Sequence, residues 1–193
     1  MKRKAALAAL VLLAACAPPA PETAAAPETP LEADNCNRNA AATIAFSAPD
    51  AVDVVEAHSF GPSCDKTFVV FTVRNAEGAP LAVWSTMQPW LAPRPSAEGE
   101  SKVTVEMMDE FLGEWVKVKV DTTTSLPDWP QRATAFKDQL SAFMTTPFSR
   151  EEYLDIRARG APRLCFATGV SSGQCLYFDA RNGAAPKILD TGV

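Results

Sequence analysis

Lys66-Thr67-Phe68-Val69-Val70-Phe71-Thr72-Val73-Arg74 reads as a β-strand along its whole length. Its interior is β-branched or aromatic throughout, the side chains that fit a pleated, half-buried surface. The near-continuous apolar character places it in the interior of a sheet. Asn75-Ala76-Glu77-Gly78 turns the chain, and Leu81-Ala82-Val83-Trp84 answers as the next strand. Together they predict an antiparallel hairpin with a Gly-containing loop.

On the N-terminal side, residues 52–58 are Val-rich and are bounded by Ser47-Ala48-Pro49-Asp50 and Gly61-Pro62-Ser63. They predict a second strand, and Thr43-Ile44-Ala45-Phe46 a short one before it. On the C-terminal side, residues 86–100 carry Pro89, Pro93 and Pro95 and read as an irregular connection. Val103, Met107, Phe111 and Trp115 then recur every four residues, with Met108 and Leu112 beside them. That stripe predicts a helix over 103–116, although Val116, Val118 and Val120 alternate as a strand would. Residues 122–130 form a loop, and Asp128 is placed to cap a helix near 131–144 whose apolar side is Ala133, Phe136, Leu140 and Phe143 or Met144. Ser149-Arg150-Glu151-Glu152 is a capping box opening a short helix through Tyr153, Ile156 and Arg157, which Gly160 ends.

The chain closes in β. Residues 164–167 and 174–178 flank Gly169-Val170-Ser171-Ser172-Gly173. If Cys165 faces Cys175, Leu164 lies opposite Leu176 and Phe166 opposite Gln174. Asn182-Gly183 predicts a hairpin turn before a last strand at Lys187-Ile188-Leu189. Strands, then helices, then strands again predict a single α+β domain over residues 35–193, with a mainly antiparallel sheet and two or three helices inserted mid-chain.

The first 34 residues have a different character. Lys2, Arg3 and Lys4 precede a short apolar run over 5–13, and then Leu13-Ala14-Ala15-Cys16. The run is shorter than the ~20 residues a membrane-spanning helix needs, and the arrangement is that of an export signal. Leu13-Ala14-Ala15-Cys16 resembles the lipobox of bacterial lipoproteins. The resemblance implies cleavage after residue 15, acylation of Cys16 and attachment to a membrane through the acyl chains on Cys16. In that family Asp after the Cys favours inner-membrane retention. Ala17 stands there, which implies the outer membrane with the domain facing the periplasm or the cell surface. Several acyl chains, at ~0.8 kcal/mol per buried CH₂, make such an anchor nearly irreversible. Residues 16–34 then form a lipidated Cys and a Pro/Ala-rich tether, which at full polyproline extension reaches ~55 Å.

The chain has five cysteines. With Cys16 acylated, Cys36, Cys64, Cys165 and Cys175 remain, in an oxidising setting that favours structural disulfides. Three pairings are possible in principle; closeness in sequence favours Cys36–Cys64 and Cys165–Cys175. No Cys-x-x-Cys occurs, which disfavours a redox or metal-binding thiol set.

The formal charge is −5, and it becomes −8 once the three cations of residues 1–15 are removed. That balance disfavours nucleic acid, which needs clustered Lys and Arg. No phosphate-cradling Gly loop or dinucleotide fingerprint is present, so no cofactor is expected. His58 is the single histidine; it cannot build a His-rich metal site, and no metal is expected. As a general base it has Asp53, Glu56, Ser59, Ser63 and Asp65 nearby in sequence, but no Gly-x-Ser-x-Gly elbow exists. Glu106, Glu110 and Glu114 read as the solvated side of the first helix. Trp84 and Trp115 lie in apolar patterns and belong to the core. Trp90 and Trp129 lie on Pro-rich loops and are the candidates for binding a partner.

Ser172-Gly173 followed by Tyr177 is similar to the Ser-Gly-x-x-Tyr loop of membrane-bound inhibitors of c-type lysozyme. The spacing is one residue longer and Cys175 sits inside it, so no site residue is carried over. The functional expectation is therefore a non-enzymatic envelope lipoprotein that binds a protein or cell-wall partner. The alternatives are a small periplasmic hydrolase using His58 and a small-molecule or lipid carrier, which needs an apolar pocket of ~300 Å³ or more.

Overall fold

The structure is a computed structural model and describes residues 35–87, 102–130 and 143–192. Cys16, the tether, Trp90 and residues 131–142 of the helix expected near 131–144 lie outside the described residues. The described residues form nine strands and two α-helices: β1 Arg38–Ile44, β2 Asp53–Phe60, β3 Phe68–Arg74, β4 Pro80–Met87, α1 Val105–Trp115, β5 Val120–Thr122, β6 Met144–Thr145, α2 Arg150–Ala158, β7 Pro162–Ala167, β8 Gly173–Tyr177 and β9 Lys187–Thr191. Among them no helix is long and apolar enough to cross a membrane.

All strand pairs are antiparallel, and they divide into two sheets, ordered β1-β2-β3-β4 and β5-β7-β8-β9-β6. With the two helices and two disulfides they make one α+β domain. β3 occupies an interior position between β2 and β4, and Val69, Phe71 and Val73 point into the core. The β3–β4 turn works through Gly78 at φ 81°, whose N–H reaches Asn75 O at 2.9 Å. A side chain there would have to adopt the left-handed region. β1 begins earlier than residues 43–46 suggest, and Phe46 lies beyond its end. Its Arg-Asn-Ala-Ala-Ala-Thr-Ile text carries little β-propensity, and it is an edge strand held by its ladder with β2.

α1 starts at Thr104, whose hydroxyl accepts from Met107 N at 3.3 Å. Its buried stripe is Met108, Leu112 and Trp115. Met107 is exposed, one step round the helix from where a strict four-residue repeat would bury it, because 3.6 residues per turn carries the stripe from i to i+4 to i+7. Glu106, Glu110 and Glu114 face solvent. Arg38 of β1 grips Asp109 of α1 through both carboxylate oxygens, at 2.7 and 2.6 Å. This hydrogen bonding holds the Asp109 carboxyl below its ordinary range and raises the Arg38 guanidinium.

Both faces of sheet two contribute to packing. Leu164, Phe166 and Leu176 join the core of the first sheet and α1. Phe166 stacks on Phe71 with ring centres 4.1 Å apart and meets Trp84 edge-on at 5.9 Å; the Trp115 indole N–H donates to Ala167 O. Tyr177, Ile188 and Leu189 pack instead with Tyr153 and Ile156 of α2 and with Leu126 and Trp129. The α2 capping box is complete: Ser149 N donates to Glu152 Oε2 at 2.9 Å, and Glu152 N to Ser149 Oγ at 3.3 Å. Met144 belongs to β6, pairing with Thr191, and not to a helix.

The two disulfides are Cys36–Cys64 and Cys165–Cys175. The first ties the approach to β1 to the approach to β3. The second joins directly opposed residues of β7 and β8, with Leu164 opposite Leu176 and Phe166 opposite Gln174. Asn182-Gly183 makes the expected turn, both N–H groups donating to Asp179 O.

Candidate functional site

His58 lies on the outer face of β2, between Asn39 of β1 and Val70 of β3. Its ring is stacked on Phe60 at 6.0 Å. Successive strand residues alternate faces, so Ser59 points the other way. Ser59 is fully buried, and its hydroxyl donates to Cys36 O at 2.7 Å and accepts from Arg38 N at 3.1 Å. The nearby acids are committed elsewhere: Glu56 to Arg74, Asp53 to Phe46 and Ser47, Asp65 to Val103 N. The sheet therefore turns Ser59 and Asp53 away from His58, while Glu56, on the same face, is held by Arg74. Beside His58, Phe60, Phe68 and Met87 form one cross-strand row, exposed by 51%, 42% and 44%.

Trp129 does not offer an exposed indole. It is 7% exposed and meets the Tyr153 ring edge-on at 5.5 Å. The loop before it is pinned there by the Tyr153 hydroxyl, which donates to Pro127 O at 2.8 Å, and by Arg157 against Asp128. Ser172 ends the β7–β8 connection and Gly173 opens β8, whereas Tyr177 is the buried last residue of that strand; the three do not share one loop.

One cleft among the described residues has a volume of about 590 Å³. Four separated stretches build it. Ser47, Ala48 and Pro49 come from the β1–β2 connection, and Thr122 from the end of β5. Arg159, Gly160, Ala161 and Pro162 come from the α2–β7 junction, and residues 177–181 from the end of β8 and its turn. Gly160, at φ 63°, ends α2 and lets the chain reverse into β7. Pro49, Ala161, Pro162 and Phe178 make the walls largely apolar.

Tyr177 lies in the lining and is 4% exposed. No hydrogen bond to its hydroxyl occurs among the described residues. Burial pushes its phenol up, and Asp179 adds to that, while Arg159 and Arg181 oppose it. Arg159 is paired with Asp155. Asp179 accepts from Arg181 N at 3.1 Å and from Asn182 Nδ2 at 2.7 Å. The Arg181 guanidinium is exposed and makes no ion pair among the described residues. The arrangement thus offers a phenol O–H and a guanidinium at one end of an apolar cleft, a set suited to binding an acceptor group. Among the described residues, no group of three or more His, Cys, Asp or Glu side chains is placed to hold a metal ion. Sequence reasoning missed this cleft because its residues lie in four stretches with no shared spacing; Gly160 and Asn182-Gly183 registered only as punctuation.

Comparison with protein-family models, curated proteins and solved structures yields no match for this chain.

Proposed function

We propose that this chain is an envelope lipoprotein whose folded domain is a non-enzymatic binding module for a small molecule with an apolar body and a hydrogen-bond-accepting head. The carrying observation is the cleft of about 590 Å³ with Tyr177, a phenol with no hydrogen bond among the described residues, in its lining. That volume falls within the ~300–1,000 Å³ typical of small-molecule sites. A phenol O–H donated to an accepting ligand atom contributes ~0.5–1.5 kcal/mol net, and more when the acceptor is charged. Arg181 favours an acceptor that carries negative charge, so small carboxylates with aliphatic or aromatic bodies are the first class to screen.

The test is a two-dimensional NMR screen of such carboxylates against the delipidated chain. The expected hit shifts the signals of Gly160, Ala161, Phe178 and Ala180. Tyr177→Phe keeps the ring and removes the hydroxyl, and is expected to weaken the hit about tenfold, or ~1.4 kcal/mol, with the denaturation midpoint nearly unchanged. Equal affinity in Tyr177→Phe, or shifts confined to another surface, would sink the reading.

The anchor is supported by Leu13-Ala14-Ala15-Cys16 and by the Pro/Ala-rich stretch that follows it. In this reading acyl chains on Cys16 hold the domain at the outer membrane, at a distance set by the tether. Metabolic labelling with a palmitate analogue is expected to mark the wild-type chain in the membrane fraction. Cys16→Ser is expected to lose the label and leave the membrane fraction; a labelled Cys16→Ser chain would refute acylation at this position.

A further inference from the structure

Arg163 and Cys165 stand two residues apart on β7, so their side chains leave the same side of the sheet. Arg163 Nη1 lies 3.1 Å from Cys165 Sγ and 3.6 Å from Cys175 Sγ. The guanidinium is steadied from the other side by Ser125 Oγ at 2.9 Å and, more loosely, by Asp121 Oδ2 at 3.4 Å. Its Nε is buried without a hydrogen-bond partner among the described residues. The disulfide lines an open groove of about 590 Å³, between Ser125 and Pro127 on one side and residues 169–173 on the other. Within it Cys165 is exposed, while Cys175 is 3% exposed. The second disulfide in the same domain is a built-in contrast. Cys36 and Cys64 are 0% and 4% exposed, and neither sulfur has a hydrogen-bond donor among the described residues.

We propose that Cys165–Cys175 is a thiol-exchange site, opened by a dithiol that reaches Cys165 through this groove, while Cys36–Cys64 is the inert structural bridge. In the first step one thiolate of the dithiol attacks Cys165 Sγ. A mixed disulfide forms, the Cys165–Cys175 bond breaks, and Cys175 leaves as a thiolate beside the Arg163 guanidinium. In the second step the other thiolate of the dithiol attacks its own bound sulfur, and Cys165 leaves as a thiolate. Two electrons pass to the chain and the dithiol becomes a disulfide. Both leaving sulfurs depart next to a fixed cation, which lowers thiol pKa, speeds departure and stabilises the reduced form. Exposure of Cys165 supplies the access that exchange requires, and burial denies it to Cys36–Cys64.

The test equilibrates the full oxidised chain, under native conditions, in dithiothreitol buffers of graded reduced-to-oxidised ratio. Thiols are trapped by alkylation and located by peptide mass spectrometry. Cys165 and Cys175 are expected to be half-alkylated at a ratio at least about tenfold lower than Cys36 and Cys64, which is about 30 mV for a two-electron couple. Arg163→Gln is expected to move the Cys165–Cys175 midpoint about tenfold toward the reducing side. Arg163→Lys, which keeps the charge, recovers most of that shift, and the Cys36–Cys64 midpoint serves as the internal reference for folding. The proposal is overturned if the two bridges open at the same ratio or if Cys36–Cys64 opens first. It is equally overturned if Arg163→Gln leaves the gap between them unchanged. Should Arg163→Gln fail to fold, the order of opening in the wild-type chain decides.

Discussion

Phe71→Ala is expected to cost about 4 kcal/mol of folding stability, the middle of the range for emptying a buried Phe site. Phe71 is 1% exposed, with its ring stacked on Phe166 at 4.1 Å and tilted against Trp115 at 5.1 Å. Those three side chains belong to β3, β7 and α1, so the vacancy opens where the two sheets and the first helix meet. Neither sheet can collapse into it without breaking its own ladder, and partial collapse is what keeps such losses small elsewhere. The measurement is urea unfolding with both disulfides intact, read as a fall in midpoint at unchanged slope. Combining Phe71→Ala with Phe166→Ala should show a coupling of about 1 kcal/mol, because each ring is half of one stacked pair. Phe68, on the same strand but the opposite face, is 42% exposed. Phe68→Ala should therefore cost no more than about 0.5 kcal/mol. Equal losses at the two positions would contradict the placement of sheet two over the inner face of sheet one.

Asp53→Ala is expected to cost about 3 kcal/mol, with Asp53→Asn falling between it and the wild type. The Asp53 carboxylate is 0% exposed and closes the β1–β2 connection. It accepts from Phe46 N at 2.9 Å, from Ser47 N, and from Ser47 Oγ at 2.8 Å. Alanine would leave those donors without their acceptor, and each buried donor so stranded costs ~1–3 kcal/mol. Phe46 is itself 0% exposed and meets Phe178 edge-on at 6.1 Å, so the carboxylate also fixes a core anchor. Asparagine keeps one acceptor oxygen but turns an amide toward groups that donate. Hydrogen exchange supplies the local readout: the Phe46 and Ser47 amides should lose protection in Asp53→Ala more than those of β8. A loss under about 1 kcal/mol would show that water takes over the role of the carboxylate. Ser47, Ala48 and Pro49 line the proposed ligand cleft, so Asp53 also holds one wall of it.

The legible parts of this fold are those whose causes are local. The strand around Phe71 announces itself because β-branched and aromatic residues fit only a pleated surface over that length. The capping box at Ser149 and Glu152 needs four consecutive residues, and the structure forms both of its hydrogen bonds. The β7–β8 register follows from one covalent assumption, Cys165 against Cys175, since a period of two then carries every neighbour with it. The short strands β5 and β6, of three and two residues, lie below the length at which alternation can be read. They exist because sheet two supplies partners for them.

The candidate sites were not legible, and the reason is the same in each case. His58 and Ser59 are adjacent in sequence, and the strand sends them to opposite faces. Trp129 sits on a Pro-rich loop that suggests exposure, and Tyr153, reached only through α2, takes its ring into the core. The Tyr177 cleft gathers four stretches, and Arg163 meets both sulfurs only after β7 and β8 have paired. By itself, the sequence determined an α+β chain of antiparallel strands, a disulfide pairing favoured by proximity, and a resemblance to lipoproteins in its first sixteen residues. Propensity, periodicity and capping act over a few residues and need nothing else. Only the tertiary structure decided that the strands form two sheets and that Tyr177 faces a cleft. It alone placed Cys165 of one disulfide in the open beside a cation and the whole of the other disulfide in the core. Those outcomes depend on contacts between residues far apart in the chain, whose free energy appears only when the layers close on one another and exclude water.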